Sequence, residues 1–178
     1  LSGPATKAQF EAALESVTYQ NTNSSDPNNG TRVVSWVIND GNADSSAVSG
    51  TISVGDVNDA PVLSGTASEA IIYSEGDGAK NNADFGVSVS VSDVDDANIE
   101  SATFTISSGY LSSEDVLAFT DADGITGAWN SETGVLTLTG PATKAEYEAA
   151  IQSGVTYQNT NSDNPSNNNR IISVRVND

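Results

Sequence analysis

The sequence has no cysteine, no histidine and no methionine. Without cysteine there is no disulfide and no thiol nucleophile. Without histidine there is no imidazole to ligate zinc or to move protons near neutral pH. A Ser-His-Asp triad and zinc hydrolysis are thereby excluded, and a non-enzymatic role is expected. Positive charge is also scarce: 6 Lys+Arg stand against 24 Asp+Glu, a formal net charge of −18. That field repels nucleic acid and anionic membrane surfaces, so neither is an expected partner. No apolar run approaches the roughly 18 residues of a membrane-spanning helix, so direct membrane insertion is not expected either. Aromatic residues make up only 6% of the chain, which leaves little for a sugar-stacking platform beside a pair of catalytic carboxylates.

What the sequence has is aspartate, asparagine and β-branched residues. Strict alternation runs through Phe85-Gly-Val87-Ser-Val89-Ser-Val91, Ala102-Thr-Phe104-Thr-Ile106 and Ile172-Ser-Val174-Arg-Val176. Each predicts a half-buried strand, with Arg175 pointing outward. Val34, Trp36 and Ile38 are expected to face inward in the same way. Shorter strands are predicted at 71–74, 116–120, 135–139, 155–158 and 48–54. Turn signals at Asp77-Gly78, Asp123-Gly124, Thr133-Gly134 and Asp40-Gly41 separate them. Many short strands with turns between them point to an all-β antiparallel sandwich.

The chain repeats itself. LSGPATKAQFEAALES-VTYQNTN…RVVSWVIND at 1–40 returns as LTGPATKAEYEAAIQSGVTYQNTN…RIISVRVND at 138–178, with 25 of 40 aligned positions identical and Gly154 inserted. A period of 137–138 residues is far longer than the roughly 20–50 residues of a solenoid unit, so each repeat is a whole domain. The expected organisation is residues 1–57 as the C-terminal part of one repeat and 58–178 as the next repeat without its last strand. Both are read as cut from a longer tandem array.

Each copy carries one short helix. Thr143 and Glu146 fit a capping box, as do Thr6 and Gln9 in the first copy. Tyr147 and Ile151, like Phe10 and Leu14, lie one turn apart and are expected to face the core. The Asn/Ser-rich stretches 21–31 and 159–169 read as polar surface turns.

Three clusters carry oxygen donors at alternate positions. They are Asp56-Val-Asn58-Asp59 before Ala60-Pro61, then Asp93-Val-Asp95-Asp96, and then the strand ends Asn39-Asp40 and Asn177-Asp178. Such spacing lets a backbone wrap a hard cation. Calcium takes about 6–8 oxygens in irregular geometry, whereas magnesium demands a tighter octahedron. Asp121-Ala-Asp123-Gly124 reads instead as a polar turn.

The run VVSWVINDGNADSSAVSGTISVGDVNDAPV at 33–62 resembles the end of a cadherin repeat: a strand, an Asp-Gly turn, a last strand and an Asp-x-Asn-Asp linker before Ala-Pro. VSVSDVDD at 89–96 is similar to that family's Asp-x-Asp motif, and Glu75 in YSEGDG occupies the place of its early glutamate. The long period and the TGPATKAE helix look closest to cadherin-like repeats of large bacterial RTX-type adhesins. The resemblance implies an Ig-like, cadherin-like sandwich in tandem, with one short helix per repeat. It implies Ca2+ ligands at Asp56, Asn58 and Asp59 in the linker and at Asp93, Asp95 and Asp178 on the following domain. Asp40 and Glu75 would serve neighbouring junctions. Ala60 replaces a usual Asn and the family's Leu-Asp-Arg-Glu motif is absent, which implies one or two ions per junction.

The expected function is a calcium-stabilised extender in an extracellular, cell-surface adhesin, with neighbouring repeats as partners. Two alternatives come from other classes. Trp129, in the expected loop Gly127–Gly134, would serve a carbohydrate-binding module. An incomplete sandwich filled by a strand of a like chain would make a filament subunit.

Overall fold

A computed structural model describes residues 3–66 and 72–178 of the chain. It divides into two compact units, Leu1–Val57 and Asn58–Asp178. Unit 1 holds a helix α1 (Lys7–Glu15) and an antiparallel pair, β1 (Gly30–Trp36) and β2 (Val48–Val54). Thr6 caps α1 as its sequence predicts: its hydroxyl accepts from Gln9 N, while Gln9 Oε1 accepts from Thr6 N at 2.9 Å. Arg32, Val34 and Trp36 share the more sheltered face of β1. β1 ends at Trp36, and Ile38, 45% exposed, lies past its end in the same apolar groove as Trp36 and Val48. An Asn39–Asp44 bridge then closes a tight loop in which Gly41 has φ 99°. No described residue of unit 1 is fully buried.

Unit 2 contains β3 (Val62–Thr66), β4 (Lys80–Asn81), β5 (Ser88–Ser92), β6 (Asn98–Ser108), β7 (Asp115–Phe119), β8 (Thr126–Asn130), β9 (Val135–Thr143), α2 (Lys144–Ala149), β10 (Val155–Asn159) and β11 (Ile171–Asn177). The strands form antiparallel sheets in the orders β11-β6-β9-β8, β4-β10-β7 and β3-β5. The unit is an all-β sandwich of antiparallel sheets. Alternation along β6 buries Ile99, Ala102, Phe104 and Ile106, which pack with Leu117, Leu136, Leu138, Tyr147, Ile151 and Val155.

Two strand expectations shift. The strand expected over 85–91 starts at Ser88, because Ala83–Phe85 form a 3-10 turn closed by Gly86 at φ 68°. A left-handed residue departs from the φ of regular strand and breaks its alternation. Of the strand expected at 71–74, Ile71 lies outside the described residues. Residues 72–74 enter a turn in which Asp77 Oδ2 accepts from Ser74 N at 2.9 Å and Tyr73 Oη donates to Asp77 O.

The repeat helix does more than cross over. Thr143 caps α2 through the predicted box with Glu146. After Ala149 the helix widens into a π turn over Ala150–Gly154. Gly154 is the residue that the second copy adds, and a wider turn is how a helix absorbs one extra residue. Only glycine fits there, since a Cβ would lie 2.7 Å from Phe119 Cε2. The side chains of Glu148 and Gln152 cover the outer edge of β5. Glu148 Oε1 accepts from Val91 N at 2.7 Å, Gln152 Oε1 accepts from Val89 N at 3.0 Å, and Gln152 Nε2 donates to Val87 O. Four helical residues rise about 6 Å and two strand residues about 6.8 Å, so this spacing matches. An edge strand covered in this way has no free donors left there for stray pairing.

The 159–169 stretch is held rather than loose. The Asp115 side chain is fully buried and takes both oxygens to Arg170 Nε at 3.1 Å. Tyr157 Oη and Leu111 N, each at 2.8 Å, complete its acceptors. Burial, then its bond to Asp115, pushes the Tyr157 phenol well above its usual pKa. Glu114 takes Ser166 N, Asn159, Asn161 and Arg170. In unit 1, among the described residues, the matching Arg32 donates only to the carbonyls of Gly30 and Asn28.

Candidate metal centre

Strand register assembles one end of unit 2. Val62 pairs with Ser92, Asn98 with Thr143 and Ser101 with Asn177. The start of β3, the β5–β6 connection, the entry to α2 and the end of β11 therefore meet at one pole. Antiparallel strands bring chain ends and turns together in this way, and here the segments concerned are the acidic ones.

The β5–β6 connection folds around Asp93. Its Oδ1 accepts from Asp95 N at 3.1 Å and Asp96 N at 2.8 Å, an Asx-type turn that gathers the following carboxylates. Lys144, the first residue of α2, braces the loop from behind by donating to the carbonyls of Asp93, at 3.0 Å, and Asp96. Asp95 Oδ2 accepts from Asp59 N at 2.9 Å, and Asn58 Nδ2 donates to Asp178 Oδ2 at 2.6 Å. Carboxylate oxygens of Asp93, Asp95 and Asp96 lie within 4.8 Å of one another.

The pole's carboxyls are shifted in opposite directions. The backbone N–H of Asp96 leads in holding the Asp93 carboxyl below its ordinary value. Asp96 is raised, first by desolvation and then by Asp95, Asp178 and Asp93. Two oxygens, Asp93 Oδ2 and Asp95 Oδ1, are buried and have no hydrogen-bond partner. Buried polar atoms in native structures are nearly always satisfied, so each orphan calls for an explanation. Neighbouring carboxylates offer no donor to these oxygens. A cation would satisfy them, and an all-oxygen donor set would suit a hard one.

Of the residues singled out in the sequence, Asn58, Asp59, Asp93, Asp95 and Asp178 fall at this pole, Asp59 contacting it through its backbone N–H. Asp56 and Asp40 belong to unit 1. Asp56 Oδ1 accepts from Val57 N at 3.1 Å. Asp40 Oδ1 accepts from Asn42 N and Ala43 N, which lowers its pKa, the Ala43 bond leading. That makes Asp40 a turn cap. Glu75 is an exposed turn residue outside the carboxylate group. Two residues outside the expected ligand set belong here. Asp96 sits beside Asp95 rather than at an alternate position, and the Asx turn brings it in. Lys144 was hidden inside a helix read as purely structural.

Trp129 lies on β8, an edge strand, not in a loop. Its ring meets Tyr110 edge-on, with centroids 6.1 Å apart at 83°, and it packs against the core. The chain matches no protein-family model, no curated protein and no solved structure with which it was compared.

Proposed function

We propose that the acidic pole of unit 2 binds calcium and that the chain is a non-enzymatic extender repeat of an extracellular, cell-surface adhesin. The observation that carries the reading is the pair of buried, unpartnered oxygens, Asp93 Oδ2 and Asp95 Oδ1, inside a group of three carboxylates. The cadherin-like linker and the tandem repetition of a whole domain support it from the sequence side. In this reading Asp93, Asp95 and Asp96 hold the ion, with Asp178 and Asn58 beside them. The linker resemblance adds Asp56 and Asp59 to the set.

Calcium would supply charge neutralisation where carboxylates now repel one another. Asn58 and Asp59 belong to the segment that follows unit 1 directly, so fixing them shortens the free part of the link between consecutive repeats. Flexible links let domains move independently unless something holds the joint. Extracellular modules bind calcium at about 10⁻⁴–10⁻³ M, which makes such a tether stiff in calcium-rich surroundings and slack elsewhere. Neighbouring repeats are then its partners. Melting curves and small-angle scattering in millimolar calcium and in excess chelator test this. The expected result is a lower Tm and a broader distance distribution in chelator. Identical melting and scattering in both would overturn it.

A further inference from the structure

We propose that Lys144 is the positioning residue of the acidic pole: it holds the Asp93–Asp96 loop in its ion-binding shape before an ion arrives, without taking any of the ion's carboxylate ligands. This rests on the calcium reading above and adds to it the residue that tunes the affinity.

Helix α2 and the turn after it lie along β5 like a ruler. Gln152, Glu148 and Lys144 follow one another at four-residue spacing, which places neighbours on one side of a helix. They meet alternate residues of one extended segment in order. Gln152 Oε1 accepts from Val89 N at 3.0 Å, Glu148 Oε1 accepts from Val91 N at 2.7 Å, and Lys144 Nζ donates to Asp93 O at 3.0 Å. The third rung falls just past Ser92, the end of β5, so the helix carries the course of the strand into the loop. The same ammonium also donates to Asp96 O, which ties both ends of the loop to one point. The ruler is itself fixed: Tyr147 and Ile151 are fully buried, and Tyr147 Oη donates to Gly140 O at 2.9 Å.

The choice of acceptor matters. Lys144 stands beside carboxylates, yet among the described residues it forms no ion pair with any of them; the two ion pairs there are both those of Arg170. Its bonds go to backbone carbonyls instead, and Asp93 Oδ2 and Asp95 Oδ1 keep no partner. A lysine paired with either oxygen would compete with an ion for it. A group that holds the ligands' backbone from outside acts the other way, and losing such a supporting partner costs about 10–100-fold in metal affinity. The ammonium also repels an incoming cation, so the sign of the change on its removal decides between brace and repulsion.

The test is Lys144→Met in the full chain, which keeps the side-chain stem and removes its donors. Calcium titration calorimetry and, in chelator, amide exchange by NMR give two independent readouts. The expected result is calcium binding about 10–100-fold weaker than in the native chain. Exchange at Asp95 N–H and Asp96 N–H should be at least tenfold faster, with exchange along β6 unchanged. Exchange that quickens in β6 and the loop alike would mean a role in overall stability only and overturns the proposal. Native or tighter calcium binding by Lys144→Met overturns it too, while leaving the calcium reading intact. A native chain that takes up no calcium overturns that reading, and this proposal with it.

Discussion

Replacing Asp95 by Asn separates a metal centre from an ordinary acidic turn, because the two accounts predict different effects of calcium. The amide side chain keeps a carbonyl oxygen for the Asp59 N–H and removes one charge from the group. With the oxygens within 4.8 Å, two unit charges repel by about 1 kcal/mol in water-like surroundings and about 3.5 kcal/mol near a protein surface. Solvent around the pair keeps the Asp93–Asp95 cost near the lower figure. Without calcium, Asp95→Asn should therefore raise the Tm by about 3–5 °C, given about 1 kcal/mol in a domain of this size. With calcium at 100 times its Kd, the native chain gains about 2.7 kcal/mol, or about 10 °C. Asp95→Asn should lose most of that gain. Calorimetric melts of both proteins, in calcium and in chelator, read the difference. Asp163→Asn, in the loop that leads into the far end of β11, serves as the charge-matched control. A variant that melts lower in chelator, or that keeps the full calcium shift, would refute the reasoning.

The remaining predictions concern what holds unit 2 together. Arg170→Leu strands the buried Asp115 carboxylate without its cation and should cost about 3–5 kcal/mol in urea unfolding. Arg32→Leu, whose Arg bonds only its own loop carbonyls among the described residues, should stay within about 0.5 kcal/mol. Gly154→Ala drives a methyl group to 2.7 Å from Phe119 and should cost about 1–3 kcal/mol, whereas Gly78→Ala, with open space around it, should change little. Glu114 is held below its ordinary pKa by the Ser166 N–H, by Asn159 and Asn161 and by Arg170. Its contribution is full above the unfolded carboxyl value of about 4.3 and fades as pH falls through the lower folded value. Glu114→Gln should therefore flatten the loss of stability between pH 5 and 3, and an unchanged slope would contradict the assignment.

The strands were legible wherever alternation ran unbroken, as in β6 and β11, and both capping boxes could be read from four residues each. Local backbone chemistry defeated the pattern at Gly86, whose positive φ delays β5 to Ser88, and at Trp36, where β1 ends before Ile38. The pole was legible in part because Asn58, Asp93, Asp95 and Asp178 sit in motif-like spacing. Asp96 was not, since its place depends on the turn that Asp93 imposes. Lys144 and the Arg170–Asp115–Glu114 cluster join residues about fifty positions apart, and no local spacing reports such pairs. The π turn was visible only as an unexplained extra glycine between two otherwise matching copies.

The most direct test of the central claim is anomalous scattering from crystals of the full chain grown in calcium. The account predicts an ion peak in contact with Asp93 Oδ2 and Asp95 Oδ1. A well-ordered pole with only water beside those two oxygens would contradict it.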